Sequence, residues 1–477
     1  MKNTLLYTIT FALALFLAAS GTATAVDNSD PSMEPVKQKL GIIKYDKKKA
    51  WEGYTLYAPK HFNTTHIMDM AGRLINTWTS EYEPGQSVYL LENGNLLHCC
   101  FTHNTSFIGG GEGGRLEEYN WEGDMVWSMW YSDETKLMHH DIEPMPNGNI
   151  LAMVVEKKSK EQCLQAGFNR VRDDYIFPEY IVEIERFGSQ GYEVVWEWHV
   201  WDHLIQDNDF SKDNYGIIAE HPELVSIKSS GRRGVRAFWN HGNSIDYNPK
   251  LDQIALNARS QNEFWVIDHS TTTEEAKGHT GGKSGKGGDI VYRWGNPAMY
   301  GAGTRADQTL LMQHDSQWIS EGRPGEGNML IYNNGKGRGY SSVVEIITPV
   351  KKDGSYPELK PDEAHLPKQA TWEFTTDPKE EMYSTEISGA QRLPNGNTLI
   401  CAGTVGRFLE VTHDKEVVWE YIVPFDGAGP LKQGALIKRD SRGHQMNAVF
   451  KVTRYSPDYP AFKGRDMSPI AESLMAQ

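Results

Sequence analysis

The chain has 477 residues and carries 63 Asp and Glu against 48 Lys and Arg, a formal net charge of −15. That balance excludes grip on nucleic acid through a broad basic face, which needs clustered cations. With 14 Trp, 22 Tyr, 16 Phe and 45 Gly, the composition favours strands joined by tight turns and points to an all-β fold.

At the amino terminus Met1-Lys2, an apolar run from Leu5 to Ala19 and Ala23-Thr24-Ala25 fit a signal peptide over 1–25, cleaved before Val26. The expected location is therefore periplasmic or secreted. No later segment is long and apolar enough to span a bilayer, so stable membrane insertion is not expected after cleavage. Residues 26–50 form an N-terminal segment, and 51–477 the folded domain. Export permits disulfides, but Cys99, Cys100, Cys163 and Cys401 are too few for a disulfide scaffold. Neighbours on a strand point to opposite faces, so at most one of Cys99 and Cys100 shares a partner.

Along the chain an apolar pair followed by Trp recurs six times: at Trp78, Trp127, Trp196, Trp294, Trp372 and Trp419. Between these copies lie strands built on an Asn-Gly turn, in YLLENGNLLHC, IEPMPNGNILAM and AQRLPNGNTLICAG, with EGNMLIY a weaker copy. Strand, turn, strand and Trp strand make one blade of a propeller. Six copies predict a six-bladed β-propeller, closed by pairing HQMNAVFKVTRY with YTLYAP and leaving no free sheet edge. Insertions at 157–179, 203–238, 270–288 and 349–368 are read as loops on the propeller faces. Among them GGKSGKGG has Lys277 where a phosphate loop needs its first Gly, and is read as a flexible loop.

Innermost strands of a propeller line its channel, so equivalent repeat positions become neighbours. Aligned by their turns, these strands begin at Ser87, His139-His140-Asp141, Asn240-His241-Gly242, Gln313-His314-Asp315, Ser388-Gly389 and Gly443-His444. A lone His is ordinarily a hydrogen-bonded core residue. Four at one repeat position point to a central-channel active site. Arg259, in the otherwise small and apolar ALNARSQ, adds a cation suited to a channel anion. Imidazoles with one Arg suit transfer of an anionic tetrahedral group: a neutral ring attacks, and cations stabilise the oxygens. Of the adjacent pair, His140 is chosen over His139 because its His-Asp step repeats at His314-Asp315. Arg338 in NNGKGRGY follows the His314 strand and is a further candidate for holding substrate.

The strings HHDIEPMPNGNIL, WNHGNSIDYNPKLDQIALNARSQNEFWVID, GDIVYRWGNP and QHDSQWI resemble the bacterial arylsulfotransferase family from about Tyr54 to Tyr455. That resemblance implies a six-bladed propeller and transfer of sulfate between phenols. It implies that His314 is transiently sulfated, that Arg259 holds sulfate oxygens, and that His140 and His241 complete the catalytic set. It assigns no role to His444. The implied reaction is ping-pong, from an aryl sulfate donor to a phenolic acceptor, with neither metal cofactor nor nucleotide sulfate donor. A homo-oligomer is left open. The residues alone also fit a metal-dependent propeller using His140, His241, His314 and His444, or a non-catalytic propeller binding protein.

Overall fold

The computed structural model describes residues 34–107, 109–227, 234–472 and 475; the expected signal peptide lies outside them. Six antiparallel sheets stand around one axis. Blade one joins Tyr54–Tyr57, Thr64–Met68 and Leu74–Thr79 to the last strand of the chain, Thr453–Tyr455. Blade two comprises Pro84–Leu90, Leu96–Phe101, Gly114–Tyr119 and Met125–Trp130. Blade three comprises Lys136–Pro144, Ile150–Glu156, Glu179–Phe187 and Gly191–His199. Blade four comprises Gly242–Asn248, Gln253–Ala258, Glu263–Asp268 and Ile290–Trp294. Blade five comprises His314–Trp318, Met329–Asn333, Ser342–Ile346 and Trp372–Phe374. Blade six comprises Gly389–Arg392, Thr398–Ala402, Arg407–Val411 and Val417–Ile422, and takes Gly41–Tyr45 as a fifth, outermost strand.

The ring closes where Tyr54, Thr55 and Leu56 pair with Tyr455, Arg454 and Thr453. First strands of successive blades pack on one another around the channel. Each of the three Asn-Gly turns spans the same interval, from Leu90 to Leu96, Pro144 to Ile150 and Arg392 to Thr398. Their glycines hold φ near +90°, where side chains are costly.

The six repeating tryptophans all lie on fourth strands and are buried. Each indole N–H reaches the following blade. Trp78, Trp127, Trp294, Trp372 and Trp419 donate to the carbonyls of Asn120, Gly191, Pro367, His413 and Met70, at 2.6 to 3.0 Å. Trp196 donates to the Thr271 hydroxyl at 3.1 Å. The sixth of these bonds returns from blade six to blade one, so the set runs completely around the ring. Burying a large ring while satisfying its one donor explains why Trp occupies this repeat position.

All four cysteines are buried free thiols. No helix among the described residues is long and apolar enough to cross a membrane.

Candidate active site

Four of the six innermost strands are irregular where they begin. Pairing slips between Pro84 and Val88, Met138 and Ile142, Gly242 and Ile245, and His314 and Gln317. Such bulges bend a strand and re-aim its side chains. Gln86, His140 and Asp315 lie within them at φ +102°, +56° and +54°, and His241 precedes its strand at +49°. Left-handed non-glycine backbone is costly and gathers at functional sites.

His140, His241 and His314, from three successive blades, open onto one cavity of about 210 Å³. The His140 and His241 ring centroids are 5.0 Å apart. Arg259 enters the same cavity from the first residue of the turn Arg259–Gln261, after the second strand of blade four. It is 7% exposed, and its Nε and Nη2 donors have no hydrogen-bond partner. Its nearest carboxylate oxygen, on Glu386, is 3.7 Å away. Lys60 and Arg442 line the cavity as well. Three cations therefore face one carboxylate.

Glu386 is held by Lys336 at 3.1 Å and flanked by His444 and Arg442 at 3.7 and 3.9 Å. Burial opposes its ionisation, but Arg259, Lys336 and His444 hold its carboxyl down at about 2. Burial and Arg259 push the His314 imidazole down to about 3. Burial, with neighbouring histidines and Arg259, depresses His140 and His241 well below the usual imidazole value. All three rings are therefore neutral bases at neutral pH.

His314 has a defined tautomer. Its Nδ1 lies 2.8 Å from Asn334 Oδ1, while the Asn334 amide donates to Ser384 O and Ser388 Oγ, so His314 Nδ1–H is the donor. Nε2 is left with its lone pair, which accepts the Ile387 N–H at 3.1 Å. Ile387 itself sits at φ +33°, strained for a β-branched residue.

His139 does not line the cavity, but its Nδ1 faces His140 Nδ1 at 2.7 Å. Its Nε2 is buried with no partner. If His139 donates, that orphan is only an unused lone pair; in the opposite tautomer it is an unsatisfied N–H, the costlier state. The preferred arrangement therefore leaves His140 with Nε2–H directed to the cavity. Gly111 makes room for this ring: its φ is +87°, and a Cβ there would lie 1.8 Å from His140 Cε1.

The Asp of each His-Asp step serves the channel, not the cavity. Lys451 Nζ binds Asp141 Oδ2 at 3.0 Å and Tyr89 OH at 2.6 Å, with Asp315 Oδ1 at 3.7 Å. Arg338 is not brought to the cavity. Its guanidinium donates to Tyr340 O and Ser342 Oγ at 3.1 and 2.8 Å and lies over the Tyr340 ring, so turn geometry occupies it. His444 stands behind Glu386.

Residues 27–424 match the family described as Arylsulfotransferase (ASST). The chain belongs to the arylsulfotransferase family. Membership supports aryl sulfotransferase activity in general, with small-molecule aryl donors and acceptors. No curated protein matches the chain. Among solved structures, this arylsulfotransferase family member is similar to a protein of unknown function from Bacteroides caccae at 11% identity and a TM-score of 0.43, covering 84% of this chain and 98% of that one. A virginiamycin B lyase from Staphylococcus aureus follows at 10% identity and 0.36, covering 82% and 90%. A putative 6-phosphogluconolactonase from Bacteroides fragilis gives 8% and 0.37, covering 86% and 100%. At those scores the likenesses carry no argument about function.

Proposed function

We propose that the protein is an exported arylsulfotransferase that works by ping-pong through a sulfohistidine at His314, without a nucleotide sulfate donor. The observation that carries the reading is Arg259, a buried guanidinium with two unsatisfied donors beside three neutral imidazoles. A buried charge lacking hydrogen bonds is costly, and a sulfate ester supplies both the charge and the acceptors. Lys60 and Arg442 add attraction for the same anion.

In this reading His314 Nε2 gives its lone pair to sulfur, the bond from sulfur to the aryl oxygen breaks, and that oxygen leaves with the electron pair. Attack requires Nε2 to leave the Ile387 N–H, which is then free to bind a sulfuryl oxygen. Asn334 accepts from Nδ1–H and steadies the positive charge that develops on the ring. The bound anion raises the affinity of His140 and His241 for a proton, and one of them passes it to the departing phenolate. A second phenol gives its proton back to that histidine and attacks sulfur, restoring His314. The covalent route divides one displacement into two easier ones.

The test follows nitrophenol release from 4-nitrophenyl sulfate, with and without phenol, and weighs peptides containing residue 314. Acceptor-dependent release and a sulfuryl adduct on His314, both abolished in His314→Ala, are expected. Release that ignores the acceptor would instead identify a sulfatase.

A further inference from the structure

Among the described residues, two groups of His, Cys, Asp or Glu lie close enough to share a cation. In one, His98, Cys100 and Glu117, the carboxylate is already occupied by Ser80, Tyr119 and Arg115. The other joins His203, His279 and Asp289 at the rim between blades three and four, outside the catalytic cavity.

His203 ends the turn Val200–His203, after the outermost strand of blade three, and is wholly buried, stacked on Trp198. Its Nε2 faces Ala276 O at 2.9 Å and its Nδ1 faces Asp289 Oδ1 at 2.8 Å. Both neighbours are oxygens that only accept. A neutral imidazole has one N–H and satisfies only one of them. His279 Nδ1 converges on the same Asp289 oxygen, also at 2.8 Å. We propose that His203 Nδ1, His279 Nδ1 and Asp289 Oδ1 bind a divalent cation of the zinc class.

A cation there receives two imidazole lone pairs and a carboxylate oxygen, a familiar three-ligand set for zinc. His203 keeps its Nε2 proton for Ala276 O, the outer bond that metal-bound histidines ordinarily make. The His279 side chain is 60% exposed, which leaves a side open for water as fourth ligand.

The surrounding loop supplies an independent reason. Residues 278–288 read GHTGGKSGKGG, with six glycines and no apolar side chain to bury. Ordering such a segment is entropically expensive. Yet it adopts a defined course, with Ser284 N donating to Asp268 Oδ2 at 2.6 Å, Lys283 N to Ser270 Oγ at 2.7 Å and Gly288 N to Gly278 O at 3.0 Å. A cation held by His279 and Asp289 clamps both sides of this loop to the buried His203. The site is structural and separate from sulfuryl transfer.

The experiment treats the full chain with chelator, dialyses it against zinc chloride, desalts it and counts metal by mass spectrometry. Wild type and His140→Ala are expected to retain about one zinc per chain, and His279→Ala at least about tenfold less. Trypsin cleavage after Lys283 and Lys286 supplies a second readout: zinc slows it about tenfold in wild type and leaves His279→Ala unchanged. Zinc absent from wild type, retained equally by His279→Ala, or lost in His140→Ala would overturn the site.

Discussion

His314 departs from an ordinary histidine because burial and Arg259 hold its ring near 3. An imidazole of ordinary pKa loses free base about tenfold per pH unit below about 6.5. For a group whose folded value is depressed, the free base is present at and above 6.5 and survives as pH falls, until the folded value is reached. With 4-nitrophenyl sulfate, kcat/KM is therefore expected to stay level from about pH 7.5 to about pH 5. A unit slope beginning near 6.5 would show that His314 titrates normally. Phenyl sulfate should behave differently, since its poorer leaving group needs a proton from His140 or His241. Both acids are depressed, so rates on phenyl sulfate should rise as pH falls through the same range. His139 acts one step back, orienting the His140 ring through its Nδ1 contact. His139→Ala should slow phenyl sulfate by about 10- to 100-fold, yet change 4-nitrophenyl sulfate by less than about threefold. Equal losses on both donors would mean that His139 only supports packing.

Each fourth strand contributes one tryptophan whose N–H reaches the next blade, and these bonds can be removed singly. Trp419→Phe keeps most of the buried ring but leaves Met70 O without its donor, at an expected cost of about 1–3 kcal/mol by urea denaturation. Trp196→Phe should cost less, because the freed acceptor is a hydroxyl that already donates to Asp268 O at 3.2 Å and so keeps a hydrogen bond. The same tryptophans made the blade count legible in sequence, since one buried side chain per blade imposes one residue type per repeat. The strand Gly41–Tyr45 carries no such mark and lies far in sequence from the blade it joins, so residue pattern alone gave it no place. His140, His241 and His314 were legible because innermost strands begin at equivalent positions. Glu386, Lys60 and Arg442 were not, because they come from connections between strands that share no register. The His139–His140 contact was hidden for another reason: positive φ at His140 breaks the alternation by which neighbours on a strand point apart.

At the scale of the whole ring, stability depends on a closing strand of only three residues, and Arg454 at its centre ties the seam. Its backbone N–H donates to Gln391 Oε1 in blade six at 2.8 Å, and its Nε to Thr55 Oγ1 in blade one at 3.0 Å. Its guanidinium pairs with the fully buried Glu410 and lies 4.4 Å from the centroid of the Trp419 ring. Glu410 also accepts from Trp51 N and Asn397 Nδ2, so that carboxylate joins the N-terminal chain, blade six and the closing strand. Removing one member of a buried ion pair leaves the other charge desolvated and unpaired, whereas replacing both removes that penalty. Arg454→Met is therefore expected to lower stability by about 3–5 kcal/mol, and Arg454→Met with Glu410→Gln by clearly less, although the double variant has lost more native contacts. Urea midpoints for both single variants and the double variant complete the cycle. Additive losses would show that shape at the seam, not the buried charge pair, holds the ring shut.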